Sequence, residues 1–89
     1  GARGRGHAQA SRERDATRRS AKNAILASIP GRLADLRRLG VDDAVLTAFA
    51  ERAAAARHEA DLARSLLALE DLADDLGALE RRVHEGAPR

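Results

Sequence analysis

Fifteen arginines and a single lysine hold most of the chemistry this 89-residue chain can perform, and they crowd toward one end. Arg3, Arg5, Arg12, Arg18, Arg19 and Lys22 fall within its first quarter. A guanidinium is always charged and offers forked donors that match phosphate oxygens, so such a stretch is expected to attract nucleic acid or another polyanion. Phe49 is the sole aromatic, and no aromatic is interleaved with the arginines. Without stacking groups, contact with DNA or RNA would be directed to the backbone and blind to sequence.

The balancing charge lies at the other end. Residues 1–38 carry ten basic side chains against three acids, a net of +7, whereas residues 39–89 carry six arginines against eleven acids, a net of −5. An alternative therefore stands beside nucleic-acid binding. The chain is then a protein–protein adaptor or regulatory subunit whose basic and acidic halves pair with each other, within one chain or head to tail, or with a larger partner.

Within the acidic half, Glu70, Asp71, Asp74 and Asp75 make two i,i+4 pairs. Paired carboxylates bind divalent ions or share a proton only when buried or joined by a ligand from another helix. The expectation is a solvated acidic face, whose self-repulsion calls for a basic surface such as the first helix. The three histidines stand in no metal spacing. His58 has Glu59 and Asp61 beside it, but neighbours one apart point to different faces of a helix, and His84 reads as a cation suited to a helix C-terminus. There is no cysteine, no Ser–His–Asp set, and Gly1, Gly4 and Gly6 follow no strand. No catalytic residue, metal or cofactor is expected, and the chain reads as non-enzymatic.

These residues must be positioned by helices. Of the 39 hydrophobic residues 21 are Ala, and β-branched and aromatic residues are scarce, which favours helix over strand. The fold class is all-α. Residues 1–10 are expected to form a flexible Gly/Arg arm, residues 11–85 a single helical domain and residues 86–89 a tail. No apolar run is long enough to span a membrane, the lack of cysteine fits the cytoplasm, and the preference for Arg over Lys fits GC-rich bacterial coding. A start at Gly1 rather than Met is what processing, or excision from a longer chain, would leave.

A first helix is predicted from Ser11 to about Ser28, stopped by Pro30. A short helix comes next, with Leu33, Leu36 and Leu39 on one side and Gly40 as a left-handed terminator. A third begins at the N-cap Asp42. The short helix, Gly40 and the third helix superficially resemble a helix-turn-helix, but the opening Asp42-Asp43-Ala44-Val45-Leu46 would bring two carboxylates to phosphate, against major-groove reading.

From Asp43 to Glu85 the buried face changes sides near residues 60–63. Val45, Phe49, Ala53, Ala56, Ala60, Ala63 and Leu67 share one face; Leu62, Leu66, Leu69, Leu72, Leu76, Leu79 and Val83 lie roughly opposite. Either the segment turns around residues 57–61 into a hairpin with Asp61 as a new N-cap, or it is one straight helix presenting its leucines to a second copy. The absence of Gly, Pro or Asn at the turn favours the straight helix. The stripe Leu62, Leu69, Leu72, Leu76, Leu79 and Val83 then fits a coiled-coil seam interrupted at Ser65, and the expected assembly is a homodimer.

Overall fold

The computed structural model describes residues 2–86, with side chains from residue 10 onward, and all but two short turns of that span is helical. Helix α1 spans Ala2–Arg38, α2 spans Asp43–His58 and α3 spans Leu62–Gly86, and each packs against both others. The all-α class is thus observed, as an up-down-up bundle of three helices.

Helix α1 passes through Pro30 without a break, where the sequence predicts a stop and a separate short helix. Proline removes one backbone N–H and crowds the carbonyl four residues earlier, at about 3 kcal/mol in a helix interior. The packing supplies the compensation. Ile25, Ile29, Leu33 and Leu36 succeed one another at spacings of four, four and three, so one unbroken helix lays them in a single stripe on the core. Ile29 and Leu36 are fully buried, and each such burial contributes roughly 1.5–3 kcal/mol. Pro30 itself faces solvent, on the side where water can serve an unbonded carbonyl. At its start α1 includes residues 2–10, the segment read as an arm.

The end of α1 matches expectation. Gly40 has φ +92°. Its N–H donates to the Arg37 carbonyl at 3.0 Å while the Val41 N–H reaches back to the Leu36 carbonyl, also at 3.0 Å. This is the paired bonding of a Schellman motif, with Val41 packed on the same core as Leu36. Asp42 occupies the N-cap of α2, yet its side chain makes no capping bond. Instead Asp43, in the first turn, accepts from Arg37 Nε and Nη2 at 3.2 and 3.0 Å, tying the two helices across the turn.

The second turn corrects the straight helix. Between α2 and α3 the chain reverses at residues 59–61 with no glycine, proline or asparagine, and side chains shape the turn instead. The Asp61 carboxylate accepts from the Arg64 N–H at 2.9 Å, capping α3, while its carbonyl accepts from Ser65 N at 2.9 Å. Glu59 Oε2 in turn accepts from Asp61 N at 3.2 Å. Ser65, read as an interruption of a coiled-coil seam, is completely buried and donates its hydroxyl to the Ala56 carbonyl at 2.5 Å. That carbonyl lies in the last turn of α2, where helix carbonyls lack intrahelical partners.

Folding α3 back changes the fate of the leucine stripe. Leu69, Leu72 and Leu76 are 0%, 1% and 0% exposed within one chain, enclosed with Ile29, Leu36, Leu46, Ala53 and Ala56. Leu62 is half-buried, and Leu79 and Val83 pack at the core's edge. These side chains were expected to form a seam between copies. Leu69, Leu72 and Leu76 are instead core of a single chain, with Leu79 and Val83 packed against them, because the reversal at residues 59–61 gives them an intramolecular partner. The companion face divides as well: Ala53 and Ala56 are buried, whereas Leu67 is 60% exposed.

Two substitutions test this account in urea denaturation monitored by circular dichroism. Ser65→Ala, which leaves the Ala56 carbonyl with only the Glu59 N–H at 3.3 Å, should lower stability by about 1–2 kcal/mol. Gly77→Ala should raise it by about 0.5–1 kcal/mol. A methyl there would meet only the ends of Arg81 and Arg32, at 3.7 and 3.8 Å.

Candidate nucleic-acid interface

Helix α1 has 37 residues and α2 has 16, so at 1.5 Å per residue α1 is about 55 Å long beside a neighbour of about 24 Å. Most of the excess lies at its N-terminal end. Lys22 Nζ donates to the Arg57 carbonyl at 3.2 Å, marking where the last turn of α2 meets α1, and the core contribution of α1 begins only at Ile25. Arg19 still lines a hollow with Ala60 and Leu62, so the residues N-terminal to it run past the α2–α3 turn, in a molecule whose longest dimension is 66 Å.

From the overhang to its root at the α2–α3 turn, Arg14, Arg18 and Lys22 stand at i, i+4 and i+8, and Arg12 and Arg19 form a second ridge beside them. At about 100° per residue the five occupy an arc of roughly 160°. The arc continues the stripe that becomes Ile25, Ile29, Leu33 and Leu36 inside the bundle. The face of α1 that packs on α2 and α3 farther along is, in the overhang, basic and turned to solvent. Arg12, Arg14 and Arg19 are exposed and have no ion-pair partner among the described residues; Arg18 lies 3.6 Å from Asp15 and stays 44% exposed. Arg14 is not among the sequence-predicted contacts; its signal is the four-residue spacing to Arg18 and Lys22. Arg3 and Arg5 have side chains outside the described residues.

The acidic side chains expected to neutralise this helix lie elsewhere. Asp75 pairs with Arg52 on α2 at 3.0 Å, and Arg52 also stands 5.7 Å from the centre of the Phe49 ring. Glu70, Asp71 and Asp74 are exposed, with no ion-pair partner among the described residues. Pairing between Arg12, Arg18, Arg19 or Lys22 and this cluster within one chain does not occur, because the overhang carries the basic groups beyond the start of α3. The two halves meet instead at Arg37 with Asp43 and at a second, tighter contact. Arg32 on α1 grips Glu80 on α3 through two parallel bonds, Nε to Oε2 at 2.9 Å and Nη2 to Oε1 at 2.5 Å. The bonds from Arg32 hold the Glu80 carboxyl below its ordinary range, partial burial opposing them, and Glu80 raises the Arg32 guanidinium in the same way.

Among the described residues no group of three or more His, Asp or Glu side chains could hold a metal ion, and no buried side-chain polar atom lacks a partner. His58 and His84 are exposed. Among the described residues no helix is long and apolar enough to cross a membrane. The chain matches no protein-family model, and no curated protein or solved structure is significantly similar to it.

The lowered Glu80 carboxyl has a consequence for acid stability. A carboxylate depressed on folding contributes stability above its unfolded pKa and loses it as pH falls through the folded one. Glu80→Gln should lower stability at pH 7 by about 0.5–1 kcal/mol, a modest amount because the pair is partly exposed. The same variant should show a flatter decline in stability below about pH 4.5 than the parent chain. Thermal melts across that range read both effects.

Proposed function

We propose that this protein is a small non-enzymatic helical module that binds nucleic acid through the basic overhang of α1, contacting phosphates rather than bases. The observation that carries the reading is the arc of Arg12, Arg14, Arg18, Arg19 and Lys22, which continues the core-facing stripe of α1 beyond the bundle, with Arg12, Arg14 and Arg19 matched by no carboxylate among the described residues. One further fact supports it. No aromatic residue stands on this helix to stack on a base, which suits a backbone contact.

A second reading, a protein adaptor, is favoured by the unmatched carboxylates of Glu70, Asp71 and Asp74 on the outer side of α3. It requires a basic partner surface, and head-to-tail pairing of two copies through the α1 overhang would satisfy it. A bacterial cytoplasmic setting remains part of the proposal on sequence grounds alone, whereas a homodimer would need a surface other than Leu69, Leu72 and Leu76, which are enclosed within one chain.

Fluorescence anisotropy with random duplex DNA and RNA, titrated over salt, separates the readings. Binding should weaken steeply with salt and vary little with sequence. Arg12→Gln, Arg18→Gln and Arg19→Gln together should reduce the log–log salt slope by about 3, near 0.9 per lost phosphate contact. Thermal stability should change little, because none of the three bonds to the bundle. Absence of binding at low salt would remove the nucleic-acid reading. Concentration-dependent self-association abolished by the same triple variant would establish the adaptor in its place.

A further inference from the structure

Helices α1 and α2 do not close on each other along their outer side. Two hollows of about 480 and 340 Å³ lie there, and both are walled by Pro30, Leu33 and Ala50, so they form one trough. Its floor is apolar, adding Leu26 and Ile29 from α1 and Leu46 and Ala53 from α2. The small alanines of α2 keep it wide. From Leu26 to Arg38 on α1, or Leu46 to His58 on α2, the trough runs about 18 Å, the length of three helical turns.

Its ends are basic. Arg57 and His58 stand at one end, neither with a carboxylate partner among the described residues, and Arg37 and Arg38 stand at the other. Arg37 and Arg38 pair with Asp43 and Asp35, yet their side chains remain 69% and 72% exposed. Beyond His58 the same face of α1 carries Arg19 and Arg12. We infer that the α1–α2 trough is a docking site for an acidic amphipathic helix of another protein, whose apolar ridge fills the floor and whose carboxylates meet the arginines at both ends.

The chain has one strongly amphipathic acidic helix of its own, α3, and its apolar ridge of Leu69, Leu72 and Leu76 is already enclosed. The outer side of α3 offers acids but only Leu67 as a large apolar group, too little to fill three turns of trough. A second copy is thereby disfavoured as the occupant. This surface borders the phosphate-binding arc at Arg19 and Arg12, but neither arginine walls the trough, and the inference does not rest on that reading.

The probe is a fluorescein-labelled 18-residue helical peptide with leucines at i, i+4, i+7 and i+11 flanked by glutamates, and its control replaces every glutamate with lysine. Anisotropy with the full chain should give micromolar affinity for the acidic peptide and binding weaker by about tenfold or more for the lysine peptide. Ala50→Gln with Ala54→Gln places bulk in the trough without altering charge, and both alanines are exposed, so the fold should be retained, as a melting curve would check. That variant should lose about tenfold or more in peptide affinity while its affinity for duplex DNA stays the same. Equal binding of the two peptides, unchanged binding by the double variant, or no binding at 0.1 mM peptide would overturn the inference. So would sedimentation showing the parent chain to be a dimer that the double variant dissolves, since a second copy would then fill the trough.

Discussion

The bond from the buried Ser65 hydroxyl to the Ala56 carbonyl holds the α2–α3 reversal closed, and the rest of the molecule depends on that reversal. A serine hydroxyl in an apolar core costs free energy unless it is satisfied, and an end-of-helix carbonyl under packed side chains costs free energy unless it is met. Each group answers the other. With Asp61 capping the new helix, α3 lies back on α2 and its leucines close over Ile29 and Leu36. Were the chain straight through residues 59–61, the same leucines would need a second molecule.

Once the bundle closes, the charges sort themselves by reach. Arg32 and Glu80 join α1 to α3, Arg52 and Asp75 join α2 to α3, and Arg37 and Asp43 join α1 to α2. Among the described residues each interface of the bundle is thus bridged by one ion pair near its surface, where such pairs supply little stability. Arg12, Arg14 and Arg18 have no such opportunity, because α2 and α3 begin and end short of them, and Arg19, level with Ala60 and Leu62, meets no carboxylate among the described residues. Their separation from the acidic face of α3 is a product of helix lengths rather than of any specific repulsion.

Helix lengths and side-chain sizes also explain why the α1–α2 side stays open. Alanines at positions 50, 53 and 54 face Leu26, Ile29 and Leu33, and methyl groups cannot fill the space that leucines fill on the α3 side. Pro30 stands in the wall of this trough. The basic overhang and the apolar trough are both products of a core that uses its large residues chiefly where α3 meets the other two helices.

Much of this was legible in the sequence. Alanine-rich, strand-poor composition determined the all-α class; the positive φ of Gly40 and the start of α2 after Asp42 could be placed from residue type, because backbone sterics there are local. The swap of apolar faces near residues 60–63 was visible, as was Asp61 as a cap. Tertiary structure alone decided whether that swap meant a turn, since the deciding bond joins residues on two different helices. It also decided that Pro30 would be tolerated, because a local penalty yields to burial of a stripe spanning both sides of the proline, and that Leu69, Leu72 and Leu76 would be spent inside one chain. Periodicity states which side of a helix must be covered, whereas the group that covers it depends on where the chain turns.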